Sequence, residues 1–151
     1  MTSRIGQSGQ ATVEFAFMVT FLFILVVMFL EMVVLGYTYV VLADAAKEGV
    51  RYAIVHGTGM STCSGPGTAA TVPPITCPDP TGNNVKNAVT AKARYSMHST
   101  ATMAVTANYV DGSSAPPNRI RVTVSYPYQW FFGLGWSSIT VRAAAEGRIM
   151  F

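Results

Sequence analysis

From Phe15 to Leu35 the chain runs for 21 residues in which Thr20 and Glu31 are the only polar side chains. As an α-helix rising about 1.5 Å per residue, this run is about 31 Å long and matches a hydrocarbon core of about 30 Å. A cleavable secretory signal is the main rival reading. Its apolar region spans about 7–15 residues and ends at a small-residue cut site. Here the nearest small cluster, Ala43 to Ala46, lies beyond further apolar sequence from Tyr37 to Leu42. The run therefore reads as a retained anchor. Charge does not orient it, because Arg4 and the α-amine on one side face Lys47 and Arg51 on the other.

The helical signal continues past the apolar run. Tyr37 to Val55 contains no proline and one glycine, Gly49. Ala45, Gly49 and Ala53 form a stripe of small residues at helical spacing, with Ala46 and Val50 beside it. Asp44, Lys47, Glu48 and Arg51 place charges on adjacent turns. The expectation is one long helix over residues 10–56, membrane-spanning at about 15–35, with its second half packed on a soluble domain. His56-Gly57 and Gly59 end it. The small stripe suits packing on a sheet first, and helix–helix assembly second.

Past Arg51 the composition changes to Thr, Ala, Ser, Pro and Gly. That is the composition of an exported domain; the size of the C-terminal domain and a disulfide within it favour an N-terminus in the cytoplasm and a C-terminus outside. The formal charge of +3 is spread over Lys86, Lys92, Arg94, Arg119 and Arg121 without a basic run, which argues against nucleic acid as a partner. Cys63 and Cys77 flank a Pro/Gly/Thr-rich stretch within a loop over residues 57–82. In an oxidising compartment they would close a loop of about fifteen residues, worth roughly 3 kcal/mol in the chain-entropy account. Two unrelated thiols are the alternative. With His56 alone nearby, the pair is a poor zinc signature, and no metal or other cofactor is expected.

Residues 83–151 read as an α+β domain. Asn83 or Asn84 can cap a helix running to about Met97, with Val85, Val89, Lys92/Ala93 and then Ser96/Met97 along one modest apolar face. Strand-like segments follow at Ala101–Val110, Arg119–Tyr126 and Ile139–Ala145, the second alternating most cleanly. Asp111-Gly112 opens a turn that continues through Pro116-Pro117. A three-stranded antiparallel sheet covered by both helices is expected, with Arg119, Arg121 and Arg142 on its wet face. Between the last two strands, Tyr126, Tyr128, Trp130, Phe131, Phe132 and Trp136 crowd together. They suit either a connection tucked under the long helix or a contact surface, for membrane headgroups or for a neighbouring subunit.

The head of the anchor carries chemistry of its own. Gly9-Gln10-Ala11-Thr12-Val13-Glu14-Phe15 sets a glycine five residues before a carboxylate, directly ahead of the apolar run. A carboxylate at that place costs a few kcal/mol unless it is interfacial or paired. A cut after Gly9, making residues 1–9 a leader, would leave Gln10 with a free ammonium and Glu14 as the fifth residue. The ammonium of one subunit would then neutralise Glu14 of a neighbour. The plainer alternative is a linker glycine and a carboxylate that favours the helix N-terminus. Glu31, 17 residues beyond Glu14, lies about 25 Å along the helix, near the far interface. It reads as a snorkelling charge or as a pairing group in an assembly.

Two motifs together resemble a known family. Gly9-Gln-Ala-Thr-Val-Glu-Phe-Ala and Ala45-Ala-Lys-Glu-Gly-Val-Arg-Tyr-Ala53 stand in the order seen in the TadE-like family of the tight-adherence (Flp) pilus system, where G-x-x-x-V-E-F-A and A-x-E-G-A-R-Y-A recur. The resemblance covers about Gly9 to Val55. It implies a membrane-anchored minor pilin or pseudopilin, with Gly9–Gln10 as the candidate cut by a prepilin peptidase and Glu14 as the matching acid. It further implies other pilin or pseudopilin subunits and an inner-membrane assembly platform as partners. Family members commonly carry proline soon after the glutamate. Here Met18-Val19-Thr20-Phe21 stands instead, so a less kinked helix is expected. Processed leaders often carry several basic residues, and this one has Arg4. Unprocessed members act as membrane-anchored assembly factors, which is the second reading. An anchored extracytoplasmic binding domain unrelated to pili is the third. His56 and His98 are isolated, and no nucleophile, phosphate-loop or metal motif occurs, so catalysis is not expected.

Overall fold

The computed structural model describes residues 7–151 apart from 70, 72 and 134–136. The element order is α1 (Gln7–Val55), α2 (Asn83–Arg94), β1 (Ala104–Tyr109), β2 (Arg119–Tyr128) and β3 (Ile139–Arg148). This is the expected α+β arrangement. α1 holds 49 residues in one unbroken helix, about 73 Å long. The missing proline accounts for its continuity, since nothing in its interior removes an N–H or clashes with the preceding turn. Among the described residues it is the one helix long and apolar enough to cross a membrane.

The two halves of α1 have different neighbours. Phe15, Phe17, Met18, Phe21 and Phe23 are exposed. From Val41 onward one face is covered: Leu42, Ala45, Ala46, Val50 and Ala53 join α2 residues Val85, Val89 and Ala93 and sheet residues Ile120, Val122, Val124, Val141 and Ala143 in a single core. The small stripe thus serves packing within the chain. Gly49 is the tightest point. A Cβ there would collide with Val89 and lie 3.3 Å from Val122 Cγ1, so glycine is what lets the helix backbone approach both α2 and β2.

The sheet has order β1-β2-β3, all antiparallel. Val105 pairs with Val124 and Val122 with Ala145, so the apolar side chains of each strand fall on the face that α1 and α2 cover. The opposite face carries Arg119, Arg121 and Arg142, all exposed as the alternation requires. Arg119 meets Asp111 at 2.9 Å and Arg121 meets Glu146 at 2.8 Å across the β2–β3 ladder. β2 extends two residues beyond the expected strand, through Pro127. A proline is tolerated there because β1 pairing starts at Ser125, so beyond it β2 pairs with β3 alone. β1 is shorter than expected. A turn closed by Met103 N–H to Thr100 O occupies the first expected strand residues.

The entry to α2 corrects the sequence reading. Neither Asn83 nor Asn84 caps the helix with its side chain. Gly82 holds the N-cap position at φ 67°, a left-handed conformation that glycine adopts freely. Asp79 supplies the acceptor: Oδ1 takes the Asn83 N–H at 2.9 Å and Oδ2 the Asn84 N–H at 2.7 Å. A carboxylate three residues upstream reaches two orphan N–H groups at once, which an asparagine on the helix itself cannot do. The helix also stops at Arg94 rather than Met97, its last turn closing through Ser96 and Met97 N–H to Ala93 O.

Candidate functional site

The residues singled out in the sequence fall into three places along the molecule. The first is the head of α1. Gly9, Gln10 and Glu14 are all exposed, and among the described residues nothing lies within 4 Å of a Cβ built on Gly9. The chain's own packing therefore does not require glycine there. Glu14 Oε1 accepts a hydrogen bond from Gln10 Nε2 at 3.0 Å, one helical turn back. The candidate cut, Gly9–Gln10, lies inside the helix, which begins at Gln7. Residues 1–6, including Arg4, lie outside the described residues.

The second place is where α1 leaves its apolar run. Glu31 is 5% exposed, although its helix neighbours Leu30 and Met32 are 48% and 69% exposed. Its partner lies a hundred positions away in sequence: the Phe131 backbone N–H donates to Glu31 Oε1. The chain at Phe131 thus lies down against α1, so the carboxylate is covered rather than snorkelling. Among the described residues, Glu31 Oε2 and Tyr128 Oη are buried without a hydrogen-bonding partner. Burial, reinforced by the Glu31 charge, pushes the Tyr128 phenol above its ordinary value.

The aromatic cluster divides across this segment. Tyr128 is buried and stands edge-on to Trp130 with ring centroids 5.8 Å apart. Trp130 Nε1–H donates to Ser137 O at 2.9 Å. Phe131 is 80% exposed and Phe132 41%, packed edge-to-face at 5.1 Å. Trp136 lies outside the described residues. Alongside, a cleft of about 520 Å³ separates α1 from the domain, lined by Val34, Tyr37, Met97, His98, Tyr126 and Phe131.

The third place is the loop after α1. Cys63 and Cys77 are joined by a disulfide, with Cα atoms 5.2 Å apart. Beside it lies a polar hub that the sequence reading missed. Ser64 Oγ donates to Asp79 Oδ2 at 2.7 Å, Thr81 Oγ1 donates to Oδ1 at 3.2 Å, and Tyr109 Oη donates to Ser64 O at 2.8 Å. Burial opposes ionisation of Asp79, but the hydrogen bonds from Ser64, Asn84, Asn83 and Thr81 outweigh it and hold the carboxyl below its ordinary value. Burial pushes the Tyr109 phenol up to about 12. The signal was present as Asp79-Pro80-Thr81-Gly82 directly before a helical run, an aspartate followed by turn residues. The hub ties the disulfide loop to α2 and to β1.

Among the described residues no group of three or more His, Cys, Asp and Glu is placed to hold a metal ion. The structure keeps Glu14 apart from Glu31 and the aromatic segment, at different levels of one unbroken helix. No curated protein and no solved structure matches this chain. The model of the TadE-like protein family matches residues 9–51, from the glycine of the head motif to the arginine of the Ala45–Ala53 motif. That family is a pilus-associated structural family, and its match supports involvement of the chain in a Tad pilus system. From Gly9 through the helix turns that carry the core, residues 9–51 of this chain are thus similar to the TadE-like protein family.

Proposed function

We propose that the chain is a membrane-anchored minor pilin or pseudopilin that takes part in assembling a tight-adherence, type IV-like pilus. The observation that carries this reading is the state of the α1 head. Glu14 heads a lipid-length apolar helix, and among the described residues no cation pairs with it. An exposed carboxylate on the edge of a hydrocarbon core is stable when a partner of opposite charge arrives. A second subunit whose chain starts at Gln10 brings that charge as an α-ammonium. The disulfide loop supports a C-terminal domain on the extracytoplasmic side, where disulfides persist.

A second reading keeps the chain as an unprocessed single-pass assembly factor of the same system. The placement of Gly9–Gln10 within α1 favours it, because a peptidase needs that helical turn to open before it can act. Intact-mass measurement after co-expression with a cognate prepilin peptidase separates the two. Loss of Met1–Gly9, blocked by Gly9→Phe, is the expected result for the pilin. Since a Cβ at Gly9 meets nothing among the described residues, a block would reflect the peptidase and not the fold. An unchanged wild-type mass would leave the assembly-factor reading standing. Glu14→Ala is expected to insert normally and to be lost from assembled pilus fractions. Assembly at the wild-type level would refute the pairing role.

A further inference from the structure

We infer that the loop following β2, residues 129–133, is seated in the membrane, with the Phe131 and Phe132 rings entering the outer interface of the same bilayer that α1 crosses. The inference rests on reading α1 as the anchor. The Phe131 N–H bond to Glu31 fixes the loop at the height of Glu31 on the helix. At that height the helix surface is apolar and open: Phe29, Leu30, Met32 and Val33 are all exposed. A loop tip held level with lipid-facing residues meets the same surroundings they do.

The chemistry of the loop suits that place. Between Arg121 and Arg142 the sequence contains no charged residue. Phe131, 80% exposed, is an expensive side chain to leave in water and a favourable one among acyl chains. The Trp130 indole N–H is already satisfied by Ser137 O, so its ring enters a region poor in water without stranding a donor. Irregular backbone at such a depth needs its polar groups bonded within the protein. Glu31 does that for Phe131, which explains why a carboxylate interrupts the apolar run at this position. Covered by the loop, it need not face lipid.

Trp136→Phe leaves Trp130 as the sole tryptophan of the full chain, so its emission reports on this loop. The chain is reconstituted in vesicles of phosphatidylcholine brominated on its acyl chains. The expected result is at least a roughly two-fold loss of emission compared with unbrominated lipid, with little quenching by aqueous acrylamide. Emission untouched by brominated lipid overturns the inference, whether acrylamide quenches it or a neighbouring protein shields it. Flotation of the same vesicles tests the anchor separately. A chain that floats without bromolipid quenching loses the loop inference alone, and one that fails to float loses both. Phe131→benzoylphenylalanine identifies the neighbour after irradiation. A phospholipid adduct supports the loop, whereas an adduct made only with a second copy of the chain overturns it.

Discussion

Residues 15–35 and 38–53 belong to one uninterrupted helix, and both are rich in apolar side chains, yet they meet different surroundings. The first stretch is built from Phe, Leu, Met and Val and is exposed on nearly every side, Val27 and Glu31 excepted. The second carries Ala45, Ala46, Gly49 and Ala53 on its inner face and is sealed against α2 and the sheet. Side-chain size, more than hydrophobicity, separates them. Large flexible groups on all faces give a cylinder that lipid can wet. Small groups on one face let a second layer of backbone approach closely, and dispersion contacts are made there at short range. A single helix thereby presents a bilayer-length apolar cylinder at one end and serves as domain core at the other.

The sharpest way to break this comparison is to delete the same atoms from both halves. Leu42 is fully buried and Leu22 is 60% exposed. Leu42→Ala is expected to destabilise the domain by about 3 kcal/mol, through lost burial and the cavity left behind. Leu22→Ala should leave domain unfolding unchanged. Urea unfolding of the full chain in detergent, followed by circular dichroism, checks both. Equal effects at the two positions would mean that the apolar run packs on the domain after all. Replacing Cys63 and Cys77 together by serine is expected to cost a comparable roughly 3 kcal/mol, since about fifteen residues regain freedom in the unfolded chain.

Glycines provide the next, smaller contrast. Alanine gains about 1 kcal/mol over glycine in a helix interior. At Gly36, where nothing lies within 4 Å of the new Cβ, no clash opposes that gain. At Gly49 the Cβ meets Val89, itself fully buried between α1 and the sheet and unable to retreat. Overpacking of about 2–3 kcal/mol should outweigh propensity there, for a net loss of about 1–2 kcal/mol in Gly49→Ala. A stabilised Gly49→Ala chain would show that α2 yields more readily than the close contact implies.

The two halves of α1 were not equally legible in the sequence. The exposed apolar half was readable from length and composition, because a run of bilayer length with few polar groups is not built to be covered by a small domain. The covered face of the second half was readable from the spacing of Ala45, Gly49 and Ala53, and the strands from their alternation. What hid was long-range and polar. No periodicity links Glu31 to Phe131, because the bond is made through a backbone N–H, which every non-proline residue carries. Asp79 was overlooked in favour of Asn83 and Asn84, since capping rules look to the residue at the helix start. Here Gly82 turns the chain so that a carboxylate three positions earlier reaches the same N–H groups.

Acid should separate the two regions without any change in the hydrophobic surfaces, by the smallest of these effects. The Asp79 carboxyl is held below its ordinary value of 3.8 in the folded chain. A depressed carboxyl contributes stability that is fully present above the unfolded value and is lost as pH falls through the folded one. Domain stability is therefore expected to decline from about pH 4 downward, while insertion of the anchor half is unaffected. Asp79→Asn removes the charge and one strong acceptor, and is expected to cost about 1 kcal/mol at neutral pH. It should also flatten the acid slope in part. Asp111 keeps the remainder, because its hydrogen bonds from the Arg119 side chain and backbone lower its carboxyl too. Unfolding midpoints in urea at pH 3 and pH 6 check the sign. If Asp79→Asn and the wild-type chain lose the same stability between those values, the carboxylate does not hold the disulfide loop to α2 through its charge, and the hub works as a neutral cap.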